Sequence, residues 1–260
     1  MESPNTITPE TFRELVSEVA RLVEREANPR KRTLSLSPET AARLQAITTA
    51  SSSTESRIAI VRETPIDAAD LASIVSLDAL AKVVSECRQC RLCEGRTQTV
   101  FGVGNPNADL VFVGEAPGEN EDLQGIPFVG RAGQLLTDII VKGMRMQRAD
   151  VYICNVIKCR PPDNRDPSSD EKKQCEPHLV RQLELLRPKV ICALGAHAAK
   201  TLLRTEASTT SLRGRWHRYE GIPLRVTYHP AYLLRDPGKK KEAWEDIQEV
   251  MKFLNGETAG

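Results

Sequence analysis

The feature that most constrains this chain is a set of four short, uninterrupted apolar runs spaced between helical stretches. Asp109–Gly114, Val151–Asn155, Val190–Gly195 and Leu224–Tyr228 each read as a strand. A strand that is apolar on both faces must be covered on both, which is the mark of a parallel sheet packed between helices. Helical patterns stand where crossovers need them, around Gly133–Met144, Ser168–Leu186, Ala196–Leu203 and Lys241–Leu254. A helix over Ser76–Cys87 opens the folded part. The expected fold is α/β: a central, mostly parallel four-stranded sheet flanked by helices on both faces.

The first part of the chain has a different texture. Thr11–Glu26 places Phe12, Leu15, Val19 and Leu22 at helical spacing, and a short helix is expected over Pro38–Ile47. A basic break at Asn28–Arg32 and a Ser/Thr-rich stretch at 48–54 read as linkers. There are too few large apolar residues here for an independent core. The division expected is an N-terminal extension over 1–80, flexible with one or two helices, and a folded domain over 81–260. The extension is a candidate docking segment for a protein partner.

Charge and composition exclude some classes. With 40% hydrophobic and 27% charged residues the 260-residue chain reads as globular. No run of 18 apolar residues suggests a membrane span, and the N-terminus lacks a signal-peptide pattern, so a cytoplasmic protein is expected. The net charge of +1 says little about partners. Its distribution says more: residues 1–80 hold 9 Lys/Arg against 12 Asp/Glu, which leaves a mild basic bias in the rest. That bias is compatible with nucleic acid.

Ligands of open α/β sheets bind beyond the carboxyl ends of the strands. The first run leads into Gly114-Glu115-Ala116-Pro117-Gly118, with Glu119, Glu121 and Asp122 following. The second ends at Asn155, and the fourth runs into His229-Pro230. The sheet therefore gathers a carboxylate, an amide and an imidazole at one rim. An amide can read a polar ring edge. An imidazole can donate to an oxygen that gains charge. A carboxylate can position water. Phe128, in a nearby Ile-Pro-Phe-Val-Gly loop, can stack on a flat ligand.

Seven cysteines make a poor disulfide framework and a better metal site. Cys87, Cys90 and Cys93 form a CxxCxxC run, and Cys159 and Cys175 lie further on. Four thiolates can hold zinc or a [4Fe–4S] cluster, and spacing alone chooses neither the metal nor between Cys90 and Cys93. Cys154 and Cys192 sit within apolar strands and read as inert core.

Together these segments resemble the family 4 uracil-DNA glycosylases from about residue 80 to the C-terminus. The matching pieces are Cys87-x-x-Cys90 with Arg91–Thr97, Gly114–Asp122, Pro127–Gly133, Asn155–Arg165 and His229–Arg235. The resemblance implies the three-layer glycosylase sandwich and a [4Fe–4S] cluster on Cys87, Cys90, Cys159 and Cys175. It implies that Phe128 stacks on a flipped uracil, that Asn155 pairs with its edge and that His229 faces the oxygen gaining charge. Backbone at Glu115 and Ala116 would lie against the base. Relatives elsewhere in the superfamily carry an aspartate where Ala116 stands, so Glu115, supported by Glu121, becomes the candidate for holding water. Leu233, Leu234 and Arg235 form a candidate wedge for the gap left by the base.

The expected function is excision of uracil from single- or double-stranded DNA by a monomer, leaving an abasic site. A rival is a protein that captures uracil covalently. Such relatives carry a basic, His-containing insertion after the Gly-Arg-Ala-Gly segment, and Arg131–Leu136 runs on without one. A non-catalytic, metal-stabilised DNA-binding module leaves the acidic first motif unexplained. A nucleotide hydrolase would ordinarily need a phosphate-cradling GxxxxGK[ST] loop or a Mg²⁺ carboxylate cage, which this chain lacks.

Overall fold

The structure, a computed structural model, describes residues 71–257, all within a compact unit that spans Glu63–Gly260. The helices and linkers expected before residue 71 lie outside the described residues.

The four apolar runs form four parallel strands. These are β2 (Leu110–Gly114), β3 (Tyr152–Asn155), β4 (Val190–Leu194) and β6 (Ile222–Thr227). The sheet has six strands rather than four. A two-residue strand, β1 (Val103–Gly104), pairs antiparallel with β3, and β5 (Trp216–Tyr219) pairs antiparallel with β6. The order is β1-β3-β2-β4-β6-β5. The parallel centre is as expected; the added edges are short strands with little apolar signal. Short, antiparallel edges also limit what the sheet offers for edge-to-edge pairing.

The alternation of side chains explains why the central strands are apolar throughout. Val111, Val113, Ile191 and Ala193 face one layer and pack with Leu179 and Leu183 of α5 (Ser169–Leu186) and with Ala198 and Leu202 of α6 (Ala196–Leu203). Leu110, Phe112, Cys192 and Leu194 face the other. There they meet Leu136 of α4 (Arg131–Asp138) and Ile247 and Val250 of α9 (Lys240–Leu254). Cys154 and Cys192 are fully buried, and burial raises both thiols.

Local signals set the helix ends. Ser168 and Glu171 form a reciprocal capping box at the start of α5. The expected helix over Gly133–Met144 begins earlier, at Arg131, and changes to a π-helical turn over Ile139–Gly143. Gly143 abuts the indole of Trp244 there, where a Cβ would lie 2.7 Å from the ring. Before α1 (Leu77–Glu86), Leu71 is buried with Leu80 and Val84, and Arg181 of α5 donates twice to the Ile74 carbonyl.

Candidate active site and cysteine cavity

Strand order reverses about β2 and β4, and the site lies at that switch point. β2 and β3 finish side by side, with Gly114 opposite Asn155. The pairing continues past the strands: Val156 N–H donates to Gly114 O (2.9 Å) and Ile157 N–H to Glu115 O (3.0 Å). At the other pair, Gly195 N–H donates to Thr227 O (2.8 Å). Gly195 has φ +90°, and a Cβ there would lie 2.7 Å from that of His229, so glycine is required where the two ends meet. The rim encloses a cleft of 940 Å³ lined by Glu115, Phe128, Asn155, His197 and His229 among others.

Asn155 is buried, and among the described residues its Oδ1 has no hydrogen-bond partner. A buried amide oxygen without a partner is costly, and a ligand donor would satisfy it. Phe128 stands beside it: a Cβ on Gly114 would fall 2.7 Å from Phe128 Cζ and would also meet Asn155 Oδ1. Glycine at 114 therefore opens the space that both side chains use.

Phe128 adopts φ +55°, a left-handed conformation uncommon for an aromatic residue. Its surroundings over-determine it. Glu121 Oε1 accepts from the N–H groups of Val129 (3.0 Å) and Gly130 (3.1 Å). Arg148 Nη2 donates to the carbonyls of Pro127 (2.7 Å) and Phe128 (3.1 Å), and its Nη1 to Thr137 (3.0 Å). Gly133 lies directly under the Phe128 carbonyl, where a Cβ has no room.

His229 caps the short helix α8 (Pro230–Arg235), its Nδ1 accepting from Ala231 N–H at 3.1 Å. That bond leaves the proton of the neutral ring on Nε2, as a donor. Burial, followed by Arg235 and His197, holds the imidazole down at about 4, so it is neutral across the physiological range. Its ring centre lies 5.5 Å from that of Phe128, tilted by 32°.

Glu115 is pushed up to about 7 by burial and by Asp166, against a smaller pull from Lys172. His197 Nδ1 lies 3.3 Å from Glu115 Oε1 and 3.6 Å from Asp166 Oδ2. Among the described residues no hydrogen bond reaches Glu115 Oε1. Ala116 sits at the cleft wall beside it.

The proposed wedge divides. Leu233 is 2% exposed and packs with Tyr228 and Ala243, so it belongs to the core and cannot insert into DNA. Leu234 is 38% exposed. Arg235 lines the cleft near the ring of Tyr232 (6.0 Å).

Cys87, Cys90, Cys159 and Cys175 line one small cavity on the α5 side, and Cys93 also reaches it. Arg96 Nη1 donates to Cys159 Sγ at 3.0 Å. His178 Nε2 lies 3.5 Å from Cys87 Sγ, and its Nδ1 is buried without a partner. Five thiols in one cavity, with a cation already directed at one sulfur, fit a thiolate-bound metal group that takes four of them.

Several site residues escaped the sequence reading. His197 follows β4 at the same rim and could have been found from that position alone. Arg148, His178 and Lys158 carry no local signal, because only tertiary contacts bring them to their sites.

A family model described as uracil DNA glycosylase superfamily matches residues 101–248. A type-4 uracil-DNA glycosylase of Sulfurisphaera tokodaii is 43% identical over 186 residues, 68% of this chain and 84% of the relative. One from Archaeoglobus fulgidus is 45% identical over 183 residues, 67% of this chain and 92% of the relative. One from Thermotoga maritima is 42% identical over 187 residues, 70% of this chain and 96% of the relative.

Proposed function

From the premise that this chain belongs to the uracil-DNA glycosylase superfamily and is of type 4, we propose how its residues divide the excision of uracil from DNA. The observation that carries the assignment is the buried Oδ1 of Asn155, without a partner among the described residues, in the cleft that Phe128 and His229 also line.

A glycosylase reaches its base by flipping it from the stack, at a cost of a few kcal/mol that is least for mispaired or single-stranded DNA. Phe128 stacks on the extruded ring. Asn155 Oδ1 accepts from the uracil N3–H, and its amide N–H₂ donates to O4. As the N-glycosidic bond breaks, its electron pair moves into the uracil ring and onto O2, leaving a cationic sugar. The Nε2–H of neutral His229 donates to that oxygen. Such a donor is worth on the order of 3–4 kcal/mol in the transition state. Glu115, as carboxylate, holds the water that adds to the sugar and takes its proton. Glu121 acts through the loop: it fixes Val129 and Gly130 and thereby Phe128. Leu234 fills the gap in the duplex, with Arg235 beside it.

Cys87, Cys90, Cys159 and Cys175 are the residues that would hold a [4Fe–4S] cluster. When bound it would brace the fold, since these cysteines come from the start of the folded domain, the segment after Asn155 and α5.

The test is cleavage of a labelled oligonucleotide with one G·U pair after alkali treatment. Wild type cuts; Asn155→Ala loses on the order of 10²-fold or more in rate, as for loss of a preorganised polar contact. Equal cutting by both sinks the pocket assignment.

A further inference from the structure

Outside the reacting groups, Lys158 is buried at the foot of the Asn155 strand. Its side chain is among the largest fully buried ones, 1% exposed. A buried ammonium is expensive unless an opposite charge lies near. Among the described residues no carboxylate pairs with it. Its Nζ donates to two neutral oxygens, the backbone carbonyl of Asn155 (2.8 Å) and Oε1 of Gln182 (2.6 Å). Gln182 is fixed in turn by Tyr152 Oη and the Phe101 carbonyl, each at 3.1 Å. The Phe101 ring lies 5.7 Å from Nζ. The same side chain lines the cysteine cavity.

The thiols that line the same cavity are the groups that can carry the opposite charge. Four thiolates around an oxidised [4Fe–4S] core leave a net double negative charge. Two cations line this cavity: half-buried Arg96, donating to Cys159 Sγ, and buried Lys158. We infer that Lys158 is a positioning residue which, with Arg96, balances the charge of the cluster and at the same time tethers the Asn155 carbonyl, so that the cluster's environment and the uracil-reading strand end share one side chain. This rests on the cluster reading above. Burial and charge act together here. The two hydrogen bonds of Lys158 hold the Asn155 carbonyl to Gln182 and fix the backbone that presents the Asn155 amide.

The experiment compares wild type, Lys158→Met and Arg96→Gln, purified anaerobically as full-length chains. Four quantities are read: iron and sulfide per chain, the rate of iron loss to a chelator, the cluster reduction potential, and kcat and KM on a G·U oligonucleotide. Residues beside metal ligands typically change metal retention or activity by about 10–100-fold. Lys158→Met is expected to lose iron at least about tenfold faster and to shift the potential to more negative values, because removing a positive charge disfavours the reduced cluster. In the fraction still loaded, kcat falls. Arg96→Gln shifts iron loss and potential in the same directions but leaves kcat of the loaded enzyme near wild type, since the hydrogen bonds of Arg96 go to Cys159 Sγ and the Ser85 carbonyl and not to the Asn155 backbone. If Lys158→Met fails to fold, Arg96→Gln decides the charge balance, and Gln182→Leu, which removes one Lys158 acceptor, must lower kcat for the tether to stand. A loaded Lys158→Met protein with wild-type iron retention, potential and kcat overturns the role of Lys158 and leaves the cluster standing. A wild type that excises uracil without iron or sulfide overturns the cluster itself.

Discussion

Arg148 holds Phe128 from behind: Nη2 donates to the Phe128 carbonyl at 3.1 Å and to that of Pro127 at 2.7 Å. A guanidinium far from the reacting atoms thus fixes the left-handed turn that points the ring into the cleft. Base stacking on an aromatic ring is worth about 1–3 kcal/mol. Phe128→Ala should lose about that much in kcat/KM for uracil excision. Arg148→Ala should lose a comparable amount, and the double variant little more than either, because both remove one platform. Additive losses in this double-mutant cycle, measured by single-turnover kinetics, would separate the two residues.

The pH dependence follows from two opposite shifts. His229 is held down at about 4, so its Nε2–H donor is in place across the working range. Glu115 is pushed up to about 7, and only its carboxylate can take a proton from water. Excision should therefore rise with pH through about 7, and Glu115→Gln should abolish this limb together with most of the rate. A limb that persists in Glu115→Gln would assign it elsewhere.

The same shift bears on stability. Glu115 binds its proton more tightly in the folded chain than at its ordinary value of 4.5. Its favourable contribution is complete below 4.5 and is lost as pH rises through about 7. Glu115→Gln should accordingly melt higher relative to wild type at pH 8 than at pH 4. Equal differences at both pH values would contradict the burial of this carboxylate.

The two leucines after His229 should behave oppositely. Leu233→Ala empties a core position and should cost about 2–5 kcal/mol of stability, read by denaturant unfolding. Leu234→Ala should leave stability within about 0.5 kcal/mol while slowing excision from duplex more than from single strands. Equal slowing on both substrates would deny Leu234 a wedge role.

Gly114→Ala tests the space under the base. The added methyl would sit against Phe128 and Asn155 together. A folded protein with excision reduced on the order of 10²-fold is expected, since small displacements of reacting groups have that effect. Near-normal excision would mean that the two side chains can give way.

The sequence made the centre of the sheet legible, because strands buried on both faces have no alternative to continuous apolar runs. Val103–Gly104 is too short for any pattern, and Trp216–Tyr219 interleaves His217 and Arg218 with its aromatics, so both edges went unread. Asn155 and His229 were legible because a strand end is a place in the chain as well as in space. Leu233 and Leu234 were not separable, since which side of a six-residue helix meets Tyr228 and Ala243 depends on how α8 is seated. Arg148, His178 and Lys158 act through residues distant in sequence, or through a backbone carbonyl, and such contacts leave no periodic trace.

Asn155 and Cys159 stand four residues apart, with the buried Lys158 between them. Anyone retargeting this fold to another base will meet a practical limit there. Insertions, deletions or proline substitutions between 155 and 159 would disturb the base reader and the cysteine cavity at once. Libraries aimed at new substrates are better spent on the loop carrying Phe128 and on the exposed face at Leu234, where the chain can vary without crossing that span.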